Sequence, residues 1–186
     1  WQDYAEMTVE ILDRLALEAV NETRNAAAAA GYFSAEADVR IDRSADPVAV
    51  KLTVNAGAAT RVASVRIAVT GPAAIEVPVG TTLIAGLTRD WGLAQGEVFR
   101  QSAWTIAKER ALAALSGTVY AAARIERSEA LIDPESGSAD LVLELASGPA
   151  FGFGSFDITG LALYDASLVR NYSTIVPGEP YSIVAL

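Results

Sequence analysis

One stretch of the chain is written twice. Gly57 to Gly71 reads Gly-Ala-Ala-Thr-Arg-Val-Ala-Ser-Val-Arg-Ile-Ala-Val-Thr-Gly, and Gly148 to Gly160 reads Gly-Pro-Ala-Phe-Gly-Phe-Gly-Ser-Phe-Asp-Ile-Thr-Gly. Gly57 aligns with Gly148, Val62 with Phe153, Val65 with Phe156 and Ile67 with Ile158, each pair 91 positions apart; the later copy is two residues shorter before its closing Gly. In the later copy Phe151, Phe153, Phe156 and Ile158 alternate with small or polar residues, with one slip of register between Phe153 and Phe156. Period-two alternation between Gly and Pro signals predicts a half-buried strand. A second echo links Gly96-Glu-Val-Phe-Arg100 with Gly178-Glu-Pro-Tyr-Ser182, 82 positions apart. A recurrence of this length decides the architecture before any local propensity does.

The remaining segments fit around the repeat. Residues 1 to 30 read as helix, one or two, with Tyr4, Met7, Ile11, Leu15, Leu17 and Val20 at three- and four-residue spacings, and Gly31 ends it. Tyr32 to Asp42 alternates as a strand, with Phe33, Ala35, Ala37, Val39 and Ile41 on one face. After the turn Arg43 to Pro47, Val48 to Val54 returns as the second arm of a hairpin. Gly57 to Gly71 opens the next unit. Pro72 to Gly80 reads as a loop, and Thr81 or Thr82 caps a helix to about Asp90. A second helix is predicted over Ser102 to Leu115, then strands at Val119 to Arg127 and Asp140 to Leu145. Gly31 to Val39 and Gly117 to Ile125 have equal spacing, which aligns Ala121 with Ala35. A short helix is expected over Leu161 to Asn171.

The order per unit is strand, helix, helix, strand, strand. That is an α+β architecture, with two helices covering one face of a three-stranded mixed sheet. Residues 1–57 form the rear of one unit, 58–148 a whole unit and 149–186 the front of a third. The chain starts on Trp1 and ends inside a helix-like stretch, so it reads as a piece of a longer protein. The two partial units together approach one repeat in length, and they could complement each other between molecules.

Composition narrows the function classes. With 52% hydrophobic residues in 186, the chain has apolar surface enough for a packed core. A net charge of −9 argues against nucleic acid and against electrostatic docking on anionic lipid. The absence of Cys and His excludes disulfides, thiolate metal sites and the usual Ser-His and Cys-His nucleophiles. What remains for catalysis is paired carboxylates. Glu126, Glu129, Asp133 and Glu135 cluster near the middle hairpin, as an acid/base pair or, with Asp140, a Ca²⁺ loop; a solvated turn is favoured because the calcium-loop pattern is missing. Gly152 and Gly154 lack dinucleotide spacing and read as packing or bulge positions. Trp91 and Trp104 fall at helical core positions rather than on a sugar platform. No metal and no cofactor is expected.

In order and spacing these elements resemble the polypeptide-transport-associated domain, or POTRA. The residues that carry the resemblance are Gly31-Tyr32-Phe33-Ser34-Ala35, Gly57, Gly148 to Gly154, Ile158-Thr159-Gly160, Ser167 to Asn171 and Pro177 to Ser182. The middle unit departs from it, with Gly117-Thr118-Val119-Tyr120 where Gly-Tyr-Phe is usual. Within the family the likeness leans to the outer-membrane subunit of the translocation and assembly module (TamA). The resemblance implies a periplasmic, non-enzymatic module tethered to the outer membrane ahead of a C-terminal β-barrel of the same chain. It implies unfolded outer-membrane polypeptides and a periplasm-spanning assembly partner as ligands. It also implies that the strand after the second helix lies outermost, so that its main chain can pair with an incoming extended segment. The candidate residues are Tyr120, Ala122, Arg124 and Glu126 on the middle unit, and Glu36, Asp38 and Arg40 on the first. The rivals are a spacer that binds no ligand and a carboxylate enzyme acting on cell-wall glycan.

Overall fold

The computed structural model describes residues 8–75, 79–155, 157–159, 167 and 173–183. Tyr4, Met7, Phe156 and nearly all of the helix expected over Leu161 to Asn171 lie outside the described residues.

Helix α1 is a single helix, Val9–Ala29. It begins where Thr8, in extended conformation, accepts a hydrogen bond from the Ile11 N–H at 3.3 Å, so an N-cap rather than Trp1 sets its start. It ends in a Schellman turn. The Tyr32 N–H donates to the Ala27 carbonyl and the Gly31 N–H to the Ala28 carbonyl, with Gly31 at φ +101°. Strands β1 (Glu36–Asp42) and β2 (Ala49–Asn55) follow as an antiparallel pair, running in register from Glu36 opposite Asn55 to Asp42 opposite Ala49. Ala37, Val39 and Ile41 are buried or half-buried while Glu36, Asp38 and Arg40 are exposed, as the alternation demands.

Strand β3 (Arg61–Thr70) leads into a short helix α2 (Pro72–Ile75), which replaces the loop expected there. Its first residue is a proline, suited to a position whose N–H has no intrahelical partner. The Ala73 N–H is received by the Ser147 hydroxyl at 3.3 Å. Helices α3 (Val79–Arg89) and α4 (Gln101–Ser116) precede β4 (Arg124–Asp133) and β5 (Ser138–Ala146). The sheet order is β3-β5-β4. β3 runs parallel to β5: the Arg61 N–H donates to Gly137 at one end and the Ser147 N–H to Thr70 at the other. A four-residue turn joins β4 to β5 as a hairpin. The fold is α+β with a mixed three-stranded sheet and helices.

Backbone contacts divide the chain into two compact units, a division that runs across β3, α4, β4 and β5. The first holds Trp1–Val65, Leu93–Thr105 and Ala130–Asp140; among its buried residues are Ala37, Val62, Leu93, Phe99, Trp104 and Ala139. The second holds Arg66–Gly92, Ile106–Glu129 and Leu141–Leu186; its core contains Leu87, Ala107, Leu115, Tyr120, Leu141, Leu143 and Leu145. Each fully buried leucine contributes roughly 1.5–3 kcal/mol.

Two strand expectations are corrected. The strand predicted over Val119 to Arg127 starts only at Arg124 and runs to Asp133. Before it the chain turns, with the Ala123 N–H donating to Tyr120 at 2.9 Å, just as Ala35 donates to Tyr32 before β1. Gly148 to Gly160 forms no strand among its described residues, only an isolated bridge between Gly152 and Pro180. β3 is held as a strand by β5, and the described residues after 148 contain no counterpart of β5.

Candidate polypeptide-binding edges and the repeated junction

β4 has one neighbour in its sheet, β5, so its other edge has no strand partner among the described residues. Unpaired N–H and C=O groups on such an edge are a template for an added strand. Arg124 and Glu126 lie at the start of this edge strand and are exposed. Tyr120 and Ala122 do not belong to it. Tyr120 is 1% exposed and sits in the turn between α4 and β4, and Ala122 is in the same turn. The strand was expected to include them because Val119 to Ala123 is apolar and free of Pro.

The edge carries charge that is already engaged. Arg127 forks onto Glu129 at 2.8 and 2.7 Å and reaches Glu144 on β5 at 3.7 Å, while Glu126 accepts from the Thr70 hydroxyl at 3.0 Å. The hydrogen bond from Arg127 holds the Glu129 carboxyl below its ordinary value and raises Arg127 in turn. In the first unit Glu36, Asp38 and Arg40 lie along β1, with Asp38 and Arg40 3.7 Å apart. With side chains 72–85% exposed, this pair adds little stability.

The carboxylates of the middle hairpin do different work. Asp133 accepts from the backbone N–H groups of Glu135 and Ser136 and from the Ser136 hydroxyl, the last of these the largest cause of its lowered pKa. It thereby closes the β4–β5 turn. Among the described residues no group of three His, Cys, Asp or Glu could hold a metal ion. Trp104 is buried, whereas Trp91 lines a groove of about 260 Å³ with Leu87, Asp90, Ala107, Arg110 and Ala111.

A feature the sequence marked only faintly is a junction built twice from the same backbone bonds. In the first unit of the structure Val62 N–H donates to Glu97, Gly96 N–H to Val62, and Phe99 N–H to Thr60, around a bridge between Arg61 and Val98. In the second, Phe153 donates to Glu179, Gly178 to Phe153, and Tyr181 to Phe151, around the bridge between Gly152 and Pro180. These partners are 91 and 82 positions apart, the two spacings found in the repeat. Gly57 and Gly148 share φ values of +67° and +66°, Gly96 and Gly178 of +89° and +90°. Each junction is closed by a bond from the strand opening to the residue just past a helix: Thr60 N–H to Gly31, Phe151 N–H to Val119. The structural counterpart of Gly31 is therefore Val119, not Gly117. No non-glycine described residue has positive φ, so Val119 makes the turn without the left-handed conformation Gly31 adopts. This is why the middle unit departs from Gly-Tyr-Phe, and why equal Gly spacing misaligned the two turns by two residues. Ring contacts also differ: Phe33 meets Phe99 at 5.8 Å in one, Phe153 meets Tyr181 at 5.6 Å in the other.

No protein-family profile matches the sequence, and no curated protein does. Solved structures do. The crystal structure of Haemophilus influenzae BamA POTRA3-5 superposes with a TM-score of 0.52 at 19% identity, over 91% of this chain and 64% of that one. The fold is that of POTRA domains. The chain spans less than two thirds of that structure's length. BamA from Haemophilus ducreyi lacking POTRA domains 1-3 is also similar, with TM-score 0.40 and 16% identity over 81% of this chain and 25% of that one. The POTRA likeness matches the sequence resemblance at the level of the fold; the two structures are BamA, not the translocation-module subunit. No helix among the described residues is long and apolar enough to cross a membrane.

Proposed function

We propose that this chain is a periplasmic, non-enzymatic polypeptide-binding module that guides outer-membrane polypeptides toward a β-barrel. In this reading residues 1–57, 58–148 and 149–186 are the rear of one POTRA unit, a whole unit and the front of a third. The barrel follows in the same protein, the module is tethered through it to the outer membrane, and a periplasm-spanning partner docks on it, as in TamA-like proteins. The observation that carries the reading is the outer position of β4 in a fold of this kind, with main-chain groups available from Arg124 to Asp133. Backbone pairing tolerates many sequences, which suits a module meeting many unfolded chains. The first unit's edge, with Glu36, Asp38 and Arg40, is a second docking strand.

The test is a titration of the ¹⁵N-labelled chain with a peptide copying one strand of an outer-membrane β-barrel. Amide shifts running along Arg124–Asp133 support the proposal, and shifts confined to turns reject it. A spacer that binds nothing is favoured by a different observation, the junction built twice from matching backbone bonds. A spacer gives no peptide-dependent shift at any strand. A cell-wall carboxylate enzyme predicts that Glu135→Gln alters glycan turnover; the binding module predicts no change.

A further inference from the structure

The groove between α3 and α4 lies wholly within the second compact unit. Its floor is Leu87, Ala107 and Ala111, all buried, and the half-buried Trp91 closes one end. Ala107, Ala111 and Ala114 follow at helical spacing on α4, so this side of the helix presents only methyl groups and leaves the groove open. Two of its residues are not what a helix pair needs for stability alone. The first is Gly86, inside α3, where glycine is less favourable than alanine. Its φ is not positive, and a Cβ placed on it would meet no atom of another element within 4 Å. Neither the backbone nor the packing calls for glycine there; what it preserves is the space above it. A local rule broken without a structural gain marks a functional position. The second is Arg110. In the run Lys108-Glu109-Arg110, Lys108 turns to Ser128 on β4 at 3.4 Å, while Arg110 lines the groove. Arg110 is exposed and has no ion-pair or hydrogen-bond partner among the described residues. Asp90, the carboxylate of the same groove, is already held by Arg89 at 2.9 and 3.1 Å.

Size, lining and charge select the occupant. At about 260 Å³ the groove falls below the roughly 300–1,000 Å³ of pockets that enclose free small molecules, and it suits a bulky side chain. Tryptophan and arginine around an apolar floor are the residue types that dominate binding energy between proteins. The charge left unpaired is positive, in a chain of net charge −9, so its complement is a carboxylate. We propose that the α3–α4 groove docks a partner polypeptide through one large apolar side chain with an acidic residue beside it. The apolar side chain lies on Leu87 between Gly86 and Trp91, and the carboxylate pairs with Arg110. None of the lining belongs to β4, so this docking does not rest on the role given to that edge.

Titrating the ¹⁵N-labelled chain with the capped peptide Gly-Ser-Leu-Glu-Ser-Gly tests this, followed at the Trp91 indole N–H and the amides of Gly86, Leu87 and Ala111. These signals should shift together. Glutamine in place of the peptide's glutamate should weaken binding about two- to fivefold, the worth of a partly exposed ion pair. In Arg110→Gln the two peptides should bind alike. Gly86→Leu and Ala114→Leu fill the groove from opposite walls, and each should abolish the shifts. Gly86→Leu should do so with a urea midpoint no lower than the parent's, since leucine favours helix over glycine, so the loss is of the groove and not of the fold. Silence at Gly86 and Trp91 overturns the proposal; if shifts then run along Arg124–Asp133, the role of β4 stands without it. Equal binding of the glutamate and glutamine peptides by the parent chain also overturns it. So does equal binding when the peptide's leucine is replaced by alanine, which would leave Arg110 a plain anion contact. Signals that move with protein concentration before peptide is added would assign the groove to a second copy instead.

Discussion

Replacing Gly31 by alanine tests the junction at its tightest point. Two costs are separable there. The first is conformational: at φ +101° an L side chain pays on the order of 1–2 kcal/mol for leaving the right-handed region. The second is steric. A Cβ on Gly31 would lie 2.1 Å from the Phe99 carbonyl oxygen and 3.0 Å from a Val98 methyl. The carbonyl belongs to backbone, so relief requires the loop segment carrying Phe99 to retreat. Retreat stretches the bond from Phe99 N–H to Thr60 at 2.9 Å and that from Thr60 N–H to Gly31 at 2.7 Å. Each such bond contributes about 1 kcal/mol net. The total is therefore about 3–4 kcal/mol, a large part of the ~5–15 kcal/mol by which domains are stable. Gly96→Ala is the control, with similar φ at +89° and no atom within 4 Å of the added methyl, so only the first cost applies. Urea unfolding followed by circular dichroism compares the two. Gly31→Ala should lie about 2 kcal/mol below Gly96→Ala, and melt earlier than it by roughly 4–8 °C. Equal losses in the two variants would show that the close approach of Gly31 to Phe99 does not exist in solution.

Two further outcomes follow from single side chains. Thr60 is fully buried and its hydroxyl has no hydrogen-bond partner among the described residues, while both of its backbone groups are bonded. Thr60→Val keeps the shape and removes the orphan, so it should stabilise the chain by about 1 kcal/mol in the same urea assay; a loss would mean the hydroxyl is satisfied. Asp133 has a pKa below the ordinary 3.8 because Ser136 and the turn amides bind its charged form. A lowered folded value means that its stabilisation is present above the unfolded pKa and is lost as pH falls through the folded one. Carboxyl-carbon NMR should find Asp133 titrating below 3.8 and moving up in Ser136→Ala; an unchanged midpoint would remove the hydroxyl from the cause.

The fold class was legible because its signals are redundant. Alternation along Ala37, Val39 and Ile41 and along Leu141, Leu143 and Leu145, a Gly after α1, and the two recurrence spacings all point the same way. Boundaries were less legible where one pattern serves two structures. Val119 to Ala123 is short, apolar and free of Pro, which fits the first residues of a strand as well as a turn; only the bond from Ala123 to Tyr120 separates them. Helix α2 was hidden because Pro72 reads as a loop signal, although a proline is also the favoured first residue of a helix. The edge residues divide in the same manner. Arg124, Glu126, Glu36, Asp38 and Arg40 lie on strands with an open edge, whereas Tyr120 was drawn into the strand by its β propensity and is in fact core.

What periodicity cannot specify is whether a face, once made, is covered. Val48 to Val54 and Ala139 to Leu145 alternate alike and occupy equivalent places in the repeat, yet one set is about half exposed and the other fully buried. Each has its hairpin partner, β1 for β2 and β4 for β5; the difference resides in a neighbour remote in sequence, β3 beside β5, with no strand but β1 beside β2 among the described residues. A strand's own residues fix which side is apolar; its partners fix whether that side becomes core.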